Sequence, residues 1–203
     1  MSGTGSGDAA GPGPAASAAL AALVAASVRG DAPGVEAAAA TARAAAAPEA
    51  LREALRMVHL FAGFPRALDA LAAAAPSLPS AGGEPAEDRA SFAARGRVLF
   101  DRVYGADAAR VHARLAALDP SLAAWVVEDA YGRVLSRDGL GAADRERLAV
   151  VMLAAQGLRN QLPGHVRGAL ACGASPAEVE ASLAAAARWI APEDLALARA
   201  SLA

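Results

Sequence analysis

Asp144-Arg145-Glu146-Arg147-Leu148-Ala149-Val150-Val151-Met152-Leu153-Ala154-Ala155-Gln156-Gly157-Leu158 is the stretch that decides how this chain folds. No Gly or Pro interrupts it before Gly157, and residues 148–155 are apolar on every side, the pattern of a helix buried all round. Charge is confined to its first turn. Gly157, Asn160, Gln161 and Pro163 then break the run. Pro163 suits the first position of a second helix, where its missing N–H would have no partner in any case. That helix is short and ends at Gly173, a natural left-handed residue. In Ser175-Pro176-Ala177-Glu178 the serine hydroxyl can accept from the glutamate N–H while the glutamate side chain accepts from the serine N–H. This capping box predicts a third helix over residues 176–188.

Composition agrees with helix elsewhere. The 203 residues are 55% hydrophobic but only 4% aromatic, with about 60 alanines, the strongest helix former. Residues 95–138 read as further helices with a break at Pro120, and no strand pattern of useful length occurs. Residues 1–16 hold almost no large apolar side chain and are expected to be a disordered tail. Pro76, Pro79, Gly82, Gly83 and Pro85 mark a linker over 76–91, which divides the chain into 17–75 and 92–203. The proline and both large apolar positions of Ala47-Pro48-Glu49-Ala50-Leu51-Arg52-Glu53-Ala54-Leu55 recur 128 positions later, from Ser175 to Leu183. This is consistent with a degenerate internal duplication.

Several function classes are excluded by composition. Charge is nearly balanced at −2, and all 19 basic side chains are arginine, so no basic nucleic-acid surface is indicated. One cysteine leaves no disulfide framework, paired redox centre or cysteine-based zinc site. Three dispersed histidines give no metal site, and the glycines of residues 3–13 precede no phosphate-loop lysine. The start of the chain lacks the positive charge of a secretory signal. The apolar run 15–28 falls short of the roughly 20 residues a membrane span needs. The expectation is a soluble, cytoplasmic protein that engages neither nucleic acid nor membrane.

Two residues stand out as candidates for proton transfer. His165 shares a helix face with Ala169 and Cys172, and Gly164 and Gly168 leave room around it, a setting in which an imidazole is readily tuned around neutrality. Glu146 lies in the first turn of the apolar helix, at the expected mouth of the core. Burial there would raise its pKa, and Arg145 or Arg147 would lower it. Each has an ordinary alternative, a packed histidine and an acid complementing the helix dipole. Cys172 reads as a small core residue and His112 as a solvated one. His59 precedes Leu60-Phe61-Ala62-Gly63-Phe64-Pro65, a turn-rich apolar stretch suited to lining a pocket. Arginines 133, 137, 145, 147, 159 and 167 cluster near the pair in sequence and could hold an anion.

These segments resemble the carboxymuconolactone decarboxylase family of the alkylhydroperoxidase D-like superfamily. The resemblance rests on Tyr131-Gly132-Arg133 with Arg137-Asp138-Gly139-Leu140, then Arg145-Glu146-Arg147-Leu148. Gln161-Leu162-Pro163-Gly164-His165-Val166-Arg167-Gly168-Ala169-Leu170 and Gly173-Ala174-Ser175-Pro176-Ala177-Glu178-Val179 follow in the family's order. The 19-position spacing of Glu146 and His165 is that of the superfamily's acid and histidine, and residues 57–68 resemble the block that closes the family's repeat. The resemblance implies an all-α fold of two related helical repeats, assembled as a trimer or hexamer. It also implies cofactor-free acid–base chemistry on a small carboxylated lactone or oxoacid. His165 would be the principal acid or base and Glu146 its partner. Arg137, or else Arg133 or Arg167, would bind the substrate carboxylate, and His59 could add a donor. The peroxidase branch carries its redox cysteines where this chain has Leu158 and Gln161, which disfavours hydroperoxide reduction. The offset of 128 puts Ala18 and Ala37 opposite Glu146 and His165, so one complete pair per chain is expected. A non-catalytic scaffold that has kept the fold is the alternative.

Overall fold

The computed structural model describes residues 11–78, 80 and 87–202. Among these there is helix and no strand, the all-α architecture the sequence predicts. The helices are α1 (Pro14–Arg29), α2 (Ala32–Ala45), α3 (Pro48–Ala74), α4 (Arg89–Tyr104), α5 (Ala108–Leu118), α6 (Pro120–Trp125), α7 (Ala142–Gln156), α8 (Leu162–Ala171), α9 (Pro176–Ala186) and α10 (Pro192–Ala200). A π-helical segment, Val126–Leu135, continues α6.

Local chemistry sets the boundaries. Asp31, Asp88 and Asp119 cap α2, α4 and α6 by accepting from backbone N–H groups. Ser175 and Glu178 form the expected capping box of α9. Gly30 and Gly157 close α1 and α7 in the left-handed region, at φ 69° and 67°. Of the expected tail, residues 1–10 lie outside the described residues. Its last residues, from Pro14, are already helical because proline at the start of α1 needs no N–H partner. Of the expected linker, Ala75–Ser77 is a 3-10 turn, residues 79 and 81–86 lie outside the described residues, and α4 has begun by Arg89.

The core is built on α1 and α7, which pack together and are flanked by α2, α3, α8 and α9. Residues 144–155 of α7 are all buried, its charged first turn included. Two features of the surrounding helices shape the site. Gly63, at φ 79°, kinks α3 just ahead of Pro65. At the crossing of α4 with the π segment, a Cβ on Gly96 would lie 1.9 Å from the Val127 carbonyl oxygen, and one on Gly132 would lie 2.0 Å from that of Phe92. Only glycine allows the two backbones to approach so closely.

Candidate functional site

The left-handed turn at Gly157 reverses the chain and lays α8 along α7. α8 begins at Leu162, one residue before the expected start, so Pro163 occupies its second position. This packing brings His165 onto Glu146, with Nδ1 2.8 Å from Oε2. The Glu146 side chain is 3% exposed and that of His165 16%. Glu146 is therefore inside the core rather than at its mouth. Phe61 meets the imidazole edge-on at 5.7 Å between ring centres. One turn after His165, a Cβ on Gly168 would lie 2.8 Å from Glu146 Oε2, so this glycine makes the space for the carboxylate. Burial alone would lower the His165 pKa. The charge and the hydrogen bond of Glu146 together outweigh it and hold the imidazole above 6.5.

The neighbouring arginines of the first turn have partners of their own. Arg145 is 1% exposed and donates to Glu53 Oε2 at 2.9 Å and to the carbonyl oxygens of Leu140, Arg137 and Asp138. Arg147 pairs with Asp144 and reaches Ser17. Both are committed to tying segments together. Glu53, from α3, also accepts from Arg56 and, at 2.9 Å, from Arg137. Burial would raise its pKa, but the three guanidinium groups keep it below the ordinary carboxylate value.

The remaining candidates separate. Arg137 joins the Glu53 cluster through its Nε. Arg133 lies over the Phe92 ring at 4.6 Å and near Asp129 at 3.4 Å. Arg167 is exposed and lines a cleft of about 190 Å³ with Gly164 and Ala171 of α8, Val103 and Tyr104 of α4, and Val111. His59 stacks on Phe64 at 4.9 Å and its Nδ1 meets the Arg56 carbonyl oxygen, so it stands beside Phe61 without touching His165. Cys172 is buried, as expected of a core residue, and burial followed by the Glu146 charge pushes its thiol up to about 11. His112 is half-buried against the edge of Phe100 rather than solvated.

Glu53, Tyr104 and Tyr131 were not anticipated. Tyr131 donates to the Tyr104 hydroxyl at 3.1 Å. Glu53 carried a legible signal, because it shares the buried stripe of Ala50, Ala54 and Met57, where an acid requires a partner. The tyrosines had no comparable signal, since their meeting depends on the glycine crossing of two separate segments. Among the described residues, no three His, Cys, Asp or Glu side chains gather as a metal site would require. No helix there is long and apolar enough to cross a membrane.

Residues 120–201 match the carboxymuconolactone decarboxylase family, a segment that holds both Glu146 and His165. "Peroxisomal protein 2" of Schizosaccharomyces pombe (strain 972 / ATCC 24843) is 30% identical over 137 residues, 63% of this chain. The match spans 62% of that protein's own length, less than two thirds of it.

Proposed function

We propose that the protein carries out acid–base catalysis, without a cofactor, on a small carboxylated lactone or oxoacid, a reading supported by the match of residues 120–201 to the carboxymuconolactone decarboxylase family. The observation that carries this reading is the buried contact of His165 Nδ1 with Glu146 Oε2 at 2.8 Å. With Nδ1 held by the carboxylate, Nε2 is the ring atom left to meet a substrate. Glu146 stabilises the imidazolium and fixes the ring plane, and the raised pKa of His165 keeps the proton available near neutral pH.

For an unsaturated lactone carrying a carboxylate, the C–CO₂ bond breaks and CO₂ leaves. The electron pair is delocalised into the lactone carbonyl as a dienolate. His165 then delivers its Nε2 proton to carbon, which restores the carbonyl. Arg167 lines a cleft, and it takes the role of binding a substrate carboxylate. Hydroperoxide reduction lacks support, because the sequence has one cysteine and burial keeps its thiol protonated.

The same reading takes 17–75 and 92–203 as related repeats in a cytoplasmic homo-oligomer. The repeat is supported by Gly13 and Gly141 preceding α1 and α7, and by Pro48 and Pro176 opening α3 and α9. The test of the function is turnover of a panel of muconolactones and oxo-lactones by the purified protein and by His165→Ala. The variant is expected to lose about 10²- to 10⁴-fold in rate. Turnover by neither protein, or full turnover by the variant, overturns the proposal.

A further inference from the structure

The dienolate places negative charge on the lactone carbonyl oxygen, and neither His165 nor Arg167 is assigned to meet it. We propose that Tyr104 is the hydrogen-bond donor to that oxyanion, with Tyr131 behind it as the residue that positions and polarises its hydroxyl. This rests on the acid–base reading of His165.

The argument begins with the backbone. Gly96 and Gly132 let α4 and the π segment touch main chain to main chain. Tyr104 lies two turns beyond Gly96, and Tyr131 lies next to Gly132. The crossing therefore fixes both rings, and their hydroxyls meet at 3.1 Å. Tyr131 is 3% exposed, and its hydroxyl has no other partner among the described residues. Its proton must go to Tyr104, since the reverse arrangement leaves a buried donor unpaired. The Tyr104 oxygen then accepts, and its own proton is free.

That proton is available to the cleft. Tyr104 lines it with Arg167, Asp107 and Arg110, and the carboxylate that holds His165 also acts on the Tyr104 phenol. Arg167 is close enough for its charge to act on the Tyr104 phenol, and both phenols lie in the field of Glu146. Burial and the Glu146 carboxylate push both phenols above 10, so they remain donors across the neutral range. A hydroxyl that already accepts a hydrogen bond is a stronger donor. At about 190 Å³ the cleft is below the roughly 300–1,000 Å³ of drug-sized sites, which fits a small acid. The ligand class is a planar acid with one carboxylate for Arg167 and one carbonyl or enolate oxygen for Tyr104.

The test uses oxalate, a planar dianion that mimics such an enolate. The chain has two tyrosines, so a ¹³Cζ-tyrosine label gives two signals, assigned with Tyr104→Phe and Tyr131→Phe. Titration with oxalate is expected to move the Tyr104 signal, and Tyr104→Phe should weaken oxalate binding about tenfold or more. His165→Ala should still bind oxalate. In turnover, Tyr104→Phe should lower kcat about 10²- to 10³-fold with KM little changed. Tyr131→Phe should lower it less. The proposal is overturned if oxalate does not saturate the protein at millimolar concentration. It is overturned equally if Tyr104→Phe keeps full affinity and kcat. Loss of turnover in His165→Ala with none in Tyr104→Phe would leave the acid–base reading standing and remove this one. Full turnover in His165→Ala would remove the acid–base reading itself.

Discussion

Replacing Gly168 with alanine puts a methyl group against the oxygen on which the histidine depends. The added Cβ would lie 2.8 Å from Glu146 Oε2 and 2.9 Å from Val103 Cγ1. A carbon–oxygen contact relaxes to about 3.3 Å, so the carboxylate must withdraw by about 0.5 Å. That stretches the 2.8 Å contact with His165 Nδ1 beyond the usual range of about 2.7–3.2 Å. A charged hydrogen bond is worth about 1.5–3 kcal/mol. Losing roughly half of it corresponds to about a tenfold fall in turnover. The fold should survive, because overpacking of about 1–3 kcal/mol is partly offset by about 1 kcal/mol of gained helix propensity. Histidine titration by NMR provides the assay, with three histidines to resolve and His165→Ala to assign the signal. The His165 signal is expected to titrate at lower pH than in the parent protein, because burial is then less opposed. Gly164→Ala, whose Cβ meets nothing within 4 Å, is the control for the titration and should leave it unchanged. An unchanged His165 titration and unchanged turnover in Gly168→Ala would refute the reasoning.

Gly132→Ala should destabilise the protein by about 3 kcal/mol, the upper end for overpacking, because the new atom meets Phe92 main chain at 2.0 Å and main chain cannot turn aside. Calorimetry should show Tm lowered by roughly 6–12 °C. Stability should also vary with pH on both sides of a plateau. Glu53 has a folded pKa below its unfolded value near 4.5, so its contribution is present above that value and is lost as pH falls through the folded one. His165 has a folded pKa above 6.5, so its contribution is present below 6.5 and is lost as pH rises through the folded value. In urea titrations across pH, Glu53→Gln should flatten the acid limb and lower the plateau, because three guanidinium groups then lack their carboxylate.

The parts legible in the sequence were those encoded by neighbours along the chain. The apolar run of α7, the glycine that ends it and the Ser175 box are local signals, and each reappears in place. The contact of Glu146 with His165 was legible through the family resemblance, whose 19-position spacing of acid and histidine this chain shares. Pairings across long stretches of chain were not legible. Arg137 was named as a substrate ligand from the family resemblance, and its contact with Glu53, 84 positions away on α3, had no local signal. Arg145 stands beside Glu146 in the chain, but its buried partner is on another helix. Adjacent residues on a helix point about 100° apart, and this one points to Glu53. The tyrosines lie 27 positions apart and meet through two glycines whose role only the crossing reveals.

The Glu53–Arg145 contact has a consequence for what counts as an inheritable module. The segment recognisable by descent starts at residue 120, but the acid that neutralises its most deeply buried cation lies in α3, as does the Phe61 ring against its histidine. Excised alone, that segment would keep both members of the acid–base pair and lose the groups that make their surroundings habitable. Positions 53 and 145 are accordingly expected to change together or not at all across descendants of this chain. Helix α3, outside that segment, thus supplies both the counter-ion of Arg145 and an aromatic wall beside His165.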